Sequence, residues 1–102
     1  MAERVVLFWR DIPAQVVIKA GRARNAKREL SRRFIEAIDR VAMREDLSGT
    51  DDYLQQWRRG APEPCGDDLE GEATAAAADL EARYTEEVLK QLAAQGGWAA
   101  PR

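Results

Sequence analysis

Within the twelve residues from Arg22 to Arg33 this sequence places six cations: Arg22, Arg24, Lys27, Arg28, Arg32 and Arg33. Arginine recognises phosphate oxygens through paired N–H bonds. Were the stretch helical, Arg24, Arg28 and Arg32 would fall on one stripe at i, i+4 and i+8. With Arg33 they would form an anion-binding set, for RNA or a phosphorylated small ligand. Two observations weigh against it. No aromatic side chain is interleaved for base stacking, and no standard nucleic-acid motif is present. The plain alternative is a solvated face, or one docked on acids. Charge distribution favours docking. Residues 1–45 hold eleven Lys/Arg against six Asp/Glu, and residues 46–102 hold five against twelve, so halves of +5 and −7 leave a net −2. Such halves can face one another within the fold or across a dimer, and a net negative chain is a poor general polyanion binder.

Carboxylates gather at Asp51-Asp52 and at Asp67-Asp68-Glu70-Glu72. Acids placed like this at helix starts suit the helix dipole and point first to solvent. They could hold Mg²⁺ with substrate phosphates, but no glycine loop that cradles phosphate accompanies them. Histidine is absent, which removes Ser-His-Asp and Cys-His catalysis and His-ligated metal sites. Cys65 is the only cysteine, so it forms no intramolecular disulfide and no thiolate zinc site. It lies between Pro64 and Gly66 without a basic neighbour to activate it. The expectation is a protein without catalysis, metal or cofactor.

The elements that would position these residues make an α+β domain. Val5 to Trp9 is β-branched and aromatic, apolar on both alternating faces, and reads as a strand covered on both sides. Arg10 to Ala14 reads as a turn because Pro13 donates no N–H and restrains Ile12. Gln15 to Lys19 is a second strand, completing a hairpin from Arg4 to Ala20. Residues 22–30 fit a loop or the first turns of a helix. Phe34, Ile35, Ile38, Val41 and Ala42 recur at helical spacing, with Ser31 as N-cap and an end near Glu45. A short helix follows from about Asp51 to Arg59, with Tyr53, Leu54 and Trp57 apolar, and Gly60 to Gly66 is a loop. From Asp67 or Asp68, Leu69, Ala73, Ala76, Leu80, Tyr84, Val88 and Leu92 predict one helix ending at Gly96-Gly97. Its length would be on the order of 40 Å at 1.5 Å per residue. The predicted architecture is a β-hairpin packed by two to three helices with a long C-terminal helix. It forms one domain over 1–95, with 96–102 as a flexible tail. A hairpin alone is marginal in water. That hairpin and the over-long helix together predict a homodimer. The apolar run Val5 to Trp9 is too short for a signal peptide, and none approaches the ~20 residues of a membrane span, so the expected compartment is the cytoplasm, away from membranes.

Three segments carry a family resemblance: Phe8-Trp9-Arg10-Asp11-Ile12-Pro13-Ala14-Gln15-Val16; Glu29-Leu30, Arg33-Phe34 and Ala37-Ile38-Asp39 with Ala42-Met43; and Tyr53-Leu54 and Trp57-Arg58 with the later acidic, alanine-rich helix. Together they resemble the small bacterial virulence factor family, related to the C-terminal part of conserved virulence factor C proteins. The pattern commonly has proline where Ser31 stands, and either residue can start a helix. The resemblance implies no catalytic residues. It implies an accessory role, linked to folate- and corrinoid-dependent one-carbon metabolism.

The preferred expectation is therefore a non-catalytic interaction or accessory protein with an unidentified protein partner. Its contact surface would be Trp9, Arg10, Asp11, Ile12, Pro13 and Gln15, with Trp57. The alternative is an RNA- or phospholigand-binding module using Arg24, Arg28, Arg32 and Arg33.

Overall fold

The computed structural model describes residues 2–99. Strand β1 (Ala2–Trp9) is followed by β2 (Ile12–Ala20) and β3 (Arg24–Glu29), then helix α1 (Arg32–Arg44) and the short α2 (Asp51–Gln55). Strands β4 (Trp57–Arg59) and β5 (Glu63–Cys65) come next, and helices α3 (Leu69–Arg83) and α4 (Glu86–Ala94) close the order. The five strands form one antiparallel sheet in the order β3-β2-β1-β4, with β5 also on β1. β4 pairs with Leu7 to Trp9 and β5 with Ala2 to Arg4, so the two are successive parts of one edge strand, interrupted around Gly60.

Alternation divides the sheet into two faces. Val16, Ile18 and Ala26 are buried beneath α3, with Val6 packed beside them, against the helix residues Leu69, Ala73, Ala76 and Leu80. Alanine at two of those four positions lets the helix axis approach the strands closely. The helices α1 and α4 pack together through Phe34, Ala37, Ile38, Val41, Leu89, Leu92 and Ala93, and close the hairpin-turn end, where Trp9 and Ile12 are fully buried.

Several sequence expectations are corrected here. The turn is only Arg10-Asp11, and Ile12, Pro13 and Ala14 belong to β2. Pro13 is tolerated because the register shifts between Leu7 and Phe8, which pair with Gln15 and Pro13 and leave Ala14 unopposed, and proline is accommodated at such a bulge. Residues 24–29 are neither loop nor helix. They form edge strand β3, in register from Gln15↔Glu29 to Ala20↔Arg24. The helix expected to run to Arg59 stops at Gln55, because residues 57–59 pair with β1 instead. The loop 60–66 contains β5. The single long C-terminal helix is two helices: Thr85 is an extended N-cap whose hydroxyl accepts from the Val88 N–H, with Glu86 and Glu87 in the first turn. Both grounds for expecting a homodimer, a two-stranded sheet and an over-long helix, are thereby removed.

Candidate functional site

The Arg10-Asp11 turn gathers chain segments far apart in sequence. Arg10 adopts a positive φ of 56° and its side chain is 9% exposed. Its guanidinium donates to the Gly96 carbonyl at 2.7 Å, to Glu45 Oε2 at 2.9 Å and to Gln56 Oε1 at 3.3 Å, and its Nη2 lies 2.9 Å from Glu45 Oε1. Three of the five N–H groups of an arginine are used in these hydrogen bonds. The same group lies 4.8 Å from the Trp9 ring centroid and 5.2 Å from that of Trp98. The Arg10 N–H donates to Gln56 O, and the Asp11 N–H to Gly97 O. Arg58 donates to the Arg10 carbonyl and to Asp11 Oδ1, each at 2.9 Å, while the Ala99 N–H donates to Asp11 Oδ2 at 2.8 Å. Gly97 fits because its φ is 85°, a left-handed conformation that glycine adopts without strain. The hydrogen bond from Arg10 holds the Glu45 carboxyl below its ordinary value of 4.5, against the opposing effect of burial.

The turn residues expected to face a partner therefore look inward: Trp9, Ile12 and Pro13 are fully buried, Arg10 nearly so, and both Asp11 carboxylate oxygens are engaged. Of the tail, residues 96–99 dock on this turn, and residues 100–102 lie outside the described residues. Gln15 and Trp57 remain at the surface.

The arginines are dispersed by the strand conformation. Arg28 is on the α3 side of β3 and pairs with Glu70 at 2.5 Å. Arg33 pairs with Glu81 at 2.9 Å and donates to the Glu81 and Tyr84 carbonyls at the end of α3. Glu81 also accepts from the Ser31 N–H and hydroxyl, taking over the start of α1, where Ser31 makes no side-chain cap bond of its own. Arg24 is exposed, and Arg32 lies 3.8 Å from Glu36 on its own helix. No common stripe exists, because the i, i+4, i+8 geometry required a helix that is not there.

Among the described residues the other face of the sheet carries no helix over its centre. Its rows follow the register: Glu3, Lys19 and Asn25; Val5, Val17 and Lys27; Arg59, Leu7, Gln15 and Glu29. Val5, Leu7 and Val17 fill the middle, Val5 buried and the other two half-buried, and the exposed Lys19, Lys27 and Arg59 stand around them. These three cations make no ion pair among the described residues. Towards the turn the face runs into a groove between Trp57 and Ile35, floored by Leu7, Ala14 and Leu30. Ile35 is 40% exposed. Trp57 is held from behind by an aromatic series: Tyr53 is 6.3 Å from Trp57 edge-on and 5.6 Å from Trp9, whose Nε1 donates to the Tyr53 carbonyl. Burial, with Asp39 nearby, pushes the Tyr53 hydroxyl up.

Residues 7–93 match the family described as virulence factor. This chain belongs to that family. No curated protein and no solved structure matches it. The region shared with the virulence factor family runs from Leu7 in β1 through Leu89 and Leu92 of α4, so it holds Arg10, Glu45 and Gln56 of the turn assembly and most of the open face.

The remaining candidates in this virulence factor domain have structural duties. Asp68 caps α3 by accepting from the Gly71 N–H, one residue beyond the Asp67 of the expected capping box, and Asp51 and Asp52 occupy the first turn of α2 below the Thr50 cap. Among the described residues no group of acids or Cys65 is placed to hold a metal ion. Cys65 lies in β5 opposite Ala2, and burial pushes its thiol up, with Glu72 nearby acting the same way. Sequence reasoning named Trp57 and Gln15 but missed Leu7, Val17, Lys19, Lys27 and Arg59. The signal was the alternation Gln15-Val17-Lys19, whose outward side is distinct from the Val16-Ile18 side.

Proposed function

We propose that this virulence factor domain is a non-catalytic protein-interaction module whose contact surface is the helix-free face of its sheet, with Gln15 on it and Trp57 at its end. One observation carries the reading: the half-buried Leu7 and Val17, with the buried Val5 between them, occupy the centre of a face that no helix covers among the described residues. An antiparallel sheet can leave one face to water, but that face is then ordinarily polar. Three aliphatic side chains at its centre, beside a groove walled by Trp57 and Ile35, fit a partner surface better than a solvated one. Trp9, Arg10, Asp11, Ile12 and Pro13 serve this surface by position. They fix the end of the hairpin and, through Tyr53, the wall that Trp57 presents. The polyanion alternative is weaker, since Arg28 and Arg33 are already neutralised by Glu70 and Glu81.

The test is co-purification from the native host with mass spectrometry, comparing the wild-type chain, a Leu7→Asp/Val17→Asp variant and an Arg24→Ala control. Wild type and control should recover the same protein and the double variant should lose it. Equal recovery by all three would refute the reading. A partner drawn from folate- or corrinoid-dependent methyl transfer, as the family resemblance implies, would be identified in the same experiment.

A further inference from the structure

We infer that the partner seats an acidic amphipathic helix across the open face, its apolar stripe on Val5, Leu7 and Val17 and its carboxylates on Lys19, Lys27 and Arg59. The inference rests on the reading of this face as a contact surface, and deepens it. The molecule already contains a related arrangement on its other side. There α3 lays Leu69, Ala73, Ala76 and Leu80 on the strands, and its Glu70 meets Arg28 of β3. Layered folds bury a sheet face most readily beneath a helix. On the open side the apolar centre and the cations are in place, while the helix and its acids are missing among the described residues.

Charge selects among occupants. A second copy laid face to face would set Lys19, Lys27 and Arg59 of both chains against only Glu3 and Glu29 of the same face, and an excess of like charge opposes association. A single-stranded nucleic acid would need aromatic platforms for its bases. The centre of this face is aliphatic, and Trp57 stands only at its end. Acidic side chains on a helix satisfy both requirements, since they neutralise the rim and leave an apolar stripe for the middle.

The test uses the full chain with the partner recovered from its host. A carbodiimide joins a lysine amine directly to a carboxylate in contact with it. Lys19 and Lys27 should be joined to Asp or Glu of one partner segment whose acids and apolar residues recur every three or four positions. A Lys19→Glu/Lys27→Glu/Arg59→Glu variant, substituted only at exposed positions, should keep the wild-type melting temperature and bind that partner about tenfold or more weaker. Wild-type binding should weaken as salt rises. If the triple variant binds as well as wild type while Leu7→Asp/Val17→Asp does not, the acidic helix is refuted and the contact surface stands. Cross-links confined to Glu3 and Glu29 of the chain itself would also refute the helix. Release of the captured material by ribonuclease would replace it with an RNA ligand. If neither variant changes capture, or nothing is captured, both readings fall.

Discussion

Val16 and Val17 are adjacent in sequence and lie on opposite faces of the same strand. On the side of Val16 the molecule completes itself, with apolar side chains meeting α3 and Arg28 meeting its Glu70. On the side of Val17 the strands offer the same ingredients, aliphatics in the middle and cations around them, and leave both unmatched. The chain's charge asymmetry is thus resolved on one face only. An excess of positive charge in the first half need not signal a ligand. It becomes informative where the fold has left it unpaired.

The sharpest way to break the contrast is to empty each side. Ile18 is fully buried beneath α3, so Ile18→Ala should cost roughly 2–5 kcal/mol in denaturant unfolding. Val17→Ala should cost well under about 1 kcal/mol, as surface substitutions do. Comparable losses would mean that the open face is packed after all. Next in size is the turn. Arg10→Ala leaves Glu45 and the Gly96 carbonyl without their partner and should destabilise by about 2–4 kcal/mol. Arg10→Lys should recover only part of this, since an ammonium lacks the planar fork that reaches Glu45, Gly96 and Gln56 together. Full recovery would show that charge alone matters there. On the charged rims, Arg33→Ala should cost about 1 kcal/mol and Arg59→Ala nothing beyond roughly 0.5 kcal/mol, measured the same way. The smallest effect is in acid. Because the Glu45 carboxyl titrates lower in the folded chain than in the unfolded one, its contribution is complete above the ordinary value of 4.5 and is lost as pH falls through its lowered folded value. Glu45→Gln should flatten that part of the acid unfolding curve, and Lys19→Ala should leave it unchanged.

What could be read from the sequence follows from how local each feature is. The hairpin's strands, α1 and the start of α3 announce themselves through β-branched and aromatic content, helical spacing and caps within a few residues, although the cover expected on both sides of the first strand is present on one among the described residues. Strand β3 does not, because Arg24-Asn25-Ala26-Lys27-Arg28-Glu29 buries only Ala26 and owes its conformation to pairing with β2. β4 and β5 are three residues each and exist only as partners of β1. The break at Thr85 was signalled by Thr85-Glu86-Glu87, but the apolar positions Leu80, Tyr84 and Val88 continue at helical spacing across it. The site was harder still. The run from Trp9 to Pro13 stands out as distinctive, and a distinctive turn suggests exposure. Its partners at Glu45, Gln56 and Gly96 are too distant in sequence for any local pattern to show that it is buried.

That distance also sets the order of events when the chain is made. Synthesis delivers the hairpin before the groups that will enclose Arg10 and Trp9. Glu45 arrives some thirty-five residues later, Gln56 after that, and Gly96-Gly97 only when α4 has emerged. Contacts of such long sequence separation bear the loop-closure cost that slows folding. The nascent chain therefore carries this turn unlocked until Gly96 and Gly97 have emerged, some eighty-six residues after Arg10.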